Sequence, residues 1–195
     1  MADRYPEFVG RLQQAYETWW EYVSQKFDAY CETILGGEEN PVHLTCHDWH
    51  KVEIAMKNQL QASKTGVNSS WDQTNIRQGM LANCFWAIEV VRTGLYEFLL
   101  WRWPEKVDRL IYADLPKKPL VPSGESLPKG GSVKPVKVKL EVADVELFKA
   151  VEPADKEVPF RSKLKSGKTH LTTMFILPDG TTFSAYNVYA KRVEE

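Results

Sequence analysis

The chain has 195 residues, 43% of them hydrophobic and 26% charged, with a formal net charge of −1. This is the composition of a globular protein with one domain or two small ones, and it excludes a wholly disordered chain. Three scattered cysteines, Cys31, Cys46 and Cys84, exclude a disulfide framework, and the opening MADRYPEF lacks the basic and apolar regions of a signal peptide. Reduced thiols in a cytoplasmic setting are therefore expected.

Charge and aromatic content divide the chain. Residues 1–115 hold eleven lysines and arginines against sixteen acids, residues 116–195 hold fourteen against ten, and all seven tryptophans precede residue 104. Two regions built on different rules are expected. The charge split alone is too mild to imply nucleic acid.

From Pro6 to Leu35 apolar residues recur in steps of three and four, through Phe8, Leu12, Ala15, Trp19, Val23, Phe27, Tyr30 and Ile34. That period predicts a helix closed by Gly36-Gly37. Asn40-Pro41 reads as an N-cap and first helical residue, opening a second helix to about residue 63. Ser70-Trp71-Asp72-Gln73 has the capping-box pattern and opens a third, to about Trp103. A shorter helix runs from Pro104 through Tyr112.

Residues 116–135 contain five prolines and three glycines, which break helix and strand alike. Beyond them the period changes to two: Val136, Val138, Leu140 and Val142 alternate with polar residues. Further strands are expected near 145–151, 158–164, 169–177 and 181–192, the last two joined by a turn at Pro178-Asp179-Gly180.

The predicted class is therefore α+β with segregated parts. A bundle of three long helices and one short (1–115) leads through a Pro/Gly-rich linker (116–135) into a small antiparallel barrel or sandwich of about five strands (136–195).

Three groups of residues are candidates for function. On a third helix, Ile76, Met80, Ala87, Val91 and Phe98 form one stripe, while Phe85, Trp86, Tyr96, Leu100 and Trp103 fall on the other side. A helix apolar all round must be covered all round. On the first helix, adjacent Trp19 and Trp20 point about 100° apart and cannot share one narrow stripe. The surplus suggests a partner-binding or self-associating aromatic surface made of Trp19, Trp20, Phe85, Trp86, Tyr96, Leu100 and Trp103.

Three of the four histidines lie in HLTCHDWH, at 43–50. On a helix from Pro41, His43, His47 and His50 share one face, and their spacing suits zinc or another transition metal. One straight helix supplies too few directions for a tetrahedron, so a second element has to contribute.

Arg161, Lys163, Lys165 and Lys168 cluster around a turn and offer contacts to nucleic-acid phosphates, with the alternative that they keep a sheet edge solvated. Ser166-Gly167-Lys168-Thr169 lacks the upstream glycine and following helix of a phosphate-binding loop, since Ser162 stands where that glycine belongs. No nucleophile elbow, dinucleotide fingerprint or His-Glu-x-x-His is present. The expected function is that of a non-enzymatic accessory or adaptor protein, acting on a protein partner or a second copy through its aromatic helical surface. Nucleic-acid association and metal binding, including a metal-dependent enzyme, stand as alternatives, and no membrane association is expected.

Overall fold

A computed structural model of the chain describes residues 4–26, 29–51, 73–117 and 126–193. The chain divides into two compact units, Met1–Cys31 and Glu32–Glu195.

The first unit holds one long helix, α1 (Pro6–Ser24). Pro6 opens it, where a missing N–H costs nothing, and Gln25 closes it in helical geometry. The helix predicted to reach Leu35 thus stops eleven residues early. None of its residues is buried.

The second unit is built of strands. Those before residue 104 are β1 (Thr33–Leu35), β2 (Val42–Thr45), β3 (His50–Lys51), β4 (Cys84–Val90) and β5 (Gly94–Trp101). A short helix, α2 (Gln73–Gln78), precedes β4. After the proline-rich stretch come β6 (Lys137–Val142), β7 (Val145–Ala150), β8 (Glu157–Leu164), β9 (Gly167–Ile176), β10 (Thr182–Phe183) and β11 (Asn187–Val193).

They form two sheets. The larger runs β1-β4-β9-β6-β7, with β3 added on β4 and β10 on β9; the smaller runs β2-β11-β5-β8. All pairings are antiparallel except β1 with β4. Trp86, Ile88, Leu140 and Phe175 from the larger sheet join Leu44, Phe98, Phe160 and Val188 from the smaller in one buried cluster. The unit is a two-layer β sandwich.

The three-helix bundle is therefore corrected: among the described residues there are two α-helices, and only α1 exceeds seven residues. The segment read as the third helix holds α2 and two strands that do not pair with each other, β4 in the larger sheet and β5 in the smaller. Tyr96, Phe98 and Leu100 alternate inward along β5, with Leu95, Glu97 and Leu99 half-buried between them. β4 is buried on both faces, so its apolar run carries no period of its own. "Apolar all round" is how such a strand looks when plotted on a helical wheel.

The second helix is corrected too. Residues 42–45 are strand, Cys46–Asp48 a single 3-10 turn, and His50 strand again. Asn40 caps no helix: its Nδ2 donates to the Arg192 carbonyl at 3.1 Å and its Oδ1 accepts from Arg192 N–H at 2.8 Å, binding the chain to β11. Gly36 takes φ +78, and a Cβ there would lie 2.2 Å from the Tyr96 hydroxyl, so close packing rather than a helix end requires glycine. The short helix expected from Pro104 shrinks to a 3-10 turn, Glu105–Val107, ended by Asp108 at φ 49. The rest of the predicted second helix, with Val52, Met56 and Leu60, lies outside the described residues, as do the Ser70-Trp71-Asp72 start and linker residues 118–125.

After residue 136 strands lie where they were expected, except that the last, 181–192, is broken into β10 and β11. Alternation along β6 buries Val138, Leu140 and Val142 completely. Gly180, at φ +83, completes the turn before β10, with Leu177 N–H donating to the Thr181 carbonyl at 2.8 Å. They do not close on themselves into a separate module, because β9 pairs with β4, and β8 and β11 pair with β5.

Candidate functional site

At one end of the smaller sheet a cavity of about 560 Å³ opens between β2, the start of β11, α2 and the loop after β5. Its apolar wall comes from Ile76, Trp103, Val107, Leu115 and Leu127. Its polar groups are His43, Thr45, His47, Arg77, Arg109 and Asn187, with Gln73 at α2. A largely apolar hollow with a few convergent polar groups is the usual form of a small-molecule site.

Strand pairing builds the polar side. β2 and β11 run antiparallel with His43 opposite Tyr189 and Thr45 opposite Asn187. The His43 ring stacks on Tyr189, and its Nε2 donates to Asn187 Oδ1 at 3.0 Å. Asn187 in turn donates through Nδ2 to the Arg102 carbonyl at 3.5 Å. The Thr45 hydroxyl donates to Asp48 Oδ2 at 3.1 Å.

Two buried arginines hold the loop side. Arg102 donates through Nη1 to the carbonyls of Ile111 and Ala113, both at 3.1 Å, and through Nη2 to that of Gly131. Its guanidinium lies 4.3 Å from the Trp103 ring centre. Burial lowers its pKa to about 10. Arg77, 2% exposed, donates through Nε to the Pro128 carbonyl at 2.8 Å and through Nη2 to that of Pro116. A planar fork of donors suits this work, since each arginine ties two or three backbone acceptors of an irregular segment. Cys46, also in the lining, is a buried free thiol whose pKa burial raises to about 12. It stays protonated near neutrality, which removes it as a nucleophile.

The structure disperses the three histidines. His43 is on β2 in the smaller sheet, His47 in the 3-10 turn, and His50 on β3 in the larger sheet beside Phe85. His43 and His47 share the cavity lining; His50 does not. Among the described residues no three His, Cys, Asp or Glu side chains come together as a metal site. Burial, then the neighbouring His170, lowers the His50 pKa.

Phe85, Trp86, Tyr96, Leu100 and Trp103, expected on a helical surface, are strand or loop residues at most 6% exposed. They form core and, for Trp103, the cavity wall. Trp19 and Trp20 remain on a helix surface, 54% and 45% exposed. The four cations divide between the sheets: Arg161 and Lys163 on β8, Lys168 on β9, and Lys165 in the turn between. Arg161 pairs with Glu97 at 2.8 Å and Lys168 with Glu32 at 2.9 Å. No helix among the described residues is long and apolar enough to cross a membrane.

Arg77, Arg109 and Asn187 had no signal in the sequence, because segments far apart in the chain bring them to one hollow.

No family model matches the chain, and no curated protein matches it. Among solved structures, a ruminal GH26 endo-beta-1,4-mannanase aligns at 12% identity over 80% of this chain and 27% of that chain, with a TM-score of 0.38. So loose a likeness assigns neither fold nor activity.

Proposed function

We propose that the chain is a non-enzymatic binding protein whose β sandwich takes a small organic molecule into the cavity beside His43 and Trp103. The cavity carries the reading. Its volume, about 560 Å³, falls inside the ~300–1,000 Å³ typical of small-molecule sites. Its walls are tied by side-chain bonds from Arg77, Arg102 and Asn187, so the hollow is pre-formed and binding costs little ordering. Binding rather than chemistry is favoured by the protonated Cys46 thiol and by a His43 imidazole already engaged with Asn187 and Tyr189.

A thermal-shift screen with a chemically diverse set of small molecules tests this. Saturable stabilisation is expected, and it should be lost in Ile76→Trp, which fills the hollow. The reading fails if no compound stabilises the protein, or if Ile76→Trp is stabilised equally.

A second reading concerns the first unit alone and rests on α1. Tyr5, Val9, Leu12, Tyr16, Trp19 and Val23 follow one another in alternating steps of four and three, a heptad seam. Phe8, Leu12 and Tyr16 are each more than half exposed, in a helix with no buried residue. An isolated helix of 19 residues is marginal in water, and packing of such a face is what sustains one. Self-association of α1 with a second copy supplies that packing. Light scattering should then give more than a monomer mass for the whole chain and a monomer mass for Leu12→Glu/Trp19→Glu. A wild-type monomer would rule this reading out.

A further inference from the structure

We infer that the cavity selects an anion: a carboxylate, sulfate ester or phosphate ester carried on a flat apolar body. The inference rests on the cavity being a ligand site and specifies what enters it.

Charge is the first observation. Arg77 and Arg109 both line the hollow, with His43 and His47 beside them, and among the described residues no aspartate or glutamate does. Asp48 accepts the Thr45 hydroxyl, Asp108 pairs with Lys156, and Asp114 pairs with Lys129 at 3.1 Å. Neither lining arginine has an ion pair with a described carboxylate.

Burial is the second. Arg77 is 2% exposed and meets backbone carbonyls at Nε and Nη2. Carbonyl dipoles hold a guanidinium in place but leave its unit charge uncancelled, and an uncompensated charge away from water acts strongly on whatever shares its surroundings. Arg109 is exposed at the rim, where a guanidinium is placed to close on an entering oxyanion in bidentate fashion.

Shape is the third. Trp103, 2% exposed, lines the hollow together with aliphatic Ile76, Val107 and Leu115. That wall accepts a ring edge or face and offers no acidic group to a cation. A neutral compound of the same shape would keep the apolar contacts and lose the charge-assisted bonds.

The test uses the intact chain and calorimetric titration with 2-naphthoate, 2-naphthyl sulfate and 2-naphthyl phosphate, alongside uncharged 2-naphthamide and cationic 2-naphthylmethylamine. At least one anion should bind about tenfold tighter than the amide, since a hydrogen bond to a charged group is stronger than one between neutral groups. The ranking among the three anions identifies the headgroup. Arg109→Glu, at an exposed loop position, should remove that anion's advantage over the amide. Ile76→Trp should weaken every compound together.

The outcomes separate the two claims. Binding by none of the five, or binding untouched by Ile76→Trp, overturns the cavity as the ligand site. Amide or amine binding as tightly as the anions, sensitive to Ile76→Trp, leaves the site standing and overturns the anion preference. An anion preference that survives Arg109→Glu overturns the role given to Arg109.

Discussion

The imidazole of His43 lies flat against the phenol ring of Tyr189, centroids 4.2 Å apart and planes within 7°. The two residues are direct cross-strand partners on β2 and β11, and His43 Nε2 is also 3.0 Å from Asn187 Oδ1. One ring therefore serves as strand pair, hydrogen-bond donor and cavity wall. The substitution His43→Phe keeps the stack and removes the bond, while His43→Ala removes both. Each should lower stability, by about 0.5–1 kcal/mol for the bond and a similar amount for the stack. Urea denaturation should therefore rank wild type above Phe and Phe above Ala; equal midpoints would mean the pair does no structural work.

Arg102 should resist even conservative replacement. Lysine keeps the charge but lacks the fork that reaches Ile111, Ala113 and Gly131 together. Arg102→Lys leaves at least one buried carbonyl without a donor, at a cost of about 1–3 kcal/mol. The expected result is a lower denaturation midpoint with loss of ligand stabilisation, because the loop carrying Trp103 and Leu115 loosens. A variant as stable as wild type would show that the loop is held by other means.

Gly36→Ala should be among the most damaging small substitutions. The added Cβ meets the Tyr96 hydroxyl, which is itself fixed by donating to the Arg92 carbonyl at 2.6 Å. Left-handed backbone alone costs an alanine ~1–2 kcal/mol, and displacing a wholly buried tyrosine adds to that. Combining Gly36→Ala with Tyr96→Phe removes the clashing atom and should recover part of the loss. No recovery would place the strain elsewhere.

Cysteine chemistry gives a further check. Cys31 is exposed, whereas Cys46 and Cys84 are buried. Mass spectrometry during alkylation of the native protein should show one fast thiol and two slow ones, all three becoming fast in denaturant. The Cys46 pKa also predicts an alkaline limb. An acid whose folded value is raised from 9.0 to about 12 binds more protons folded than unfolded between those values. Its contribution is complete below pH 9.0 and is lost as pH rises towards 12. Cys46→Ala should flatten the fall in urea midpoint across that window; an unchanged slope would contradict the shift.

Local pattern carried much of the later chain. The alternation at Val138, Leu140 and Val142 marked a strand with one face buried, and Pro178-Asp179-Gly180 marked the turn between β9 and β10, because both signals are local. Earlier in the chain the same logic misled. Cys84–Val90 is buried on both faces, so nothing in its own residues distinguishes strand from buried helix. Spacing in His43, His47 and His50 suggested a shared helix face, but only His43 and His47 line one cavity, and His50 lies in the other sheet.

By itself the amino-acid sequence determined a globular chain, an aromatic stripe on α1 with its two adjacent tryptophans, a proline-rich interruption, and alternating strands beyond it. Those follow from periodicity, and periodicity is a property of neighbours. Only tertiary structure decided that β4 and β5 join the later strands in two sheets, and that His43, Arg77, Trp103, Arg109 and Asn187 meet at one cavity. Sheet pairing and burial depend on partners far apart in the chain, 144 residues for His43 and Asn187, and no local window contains both members of such a pair.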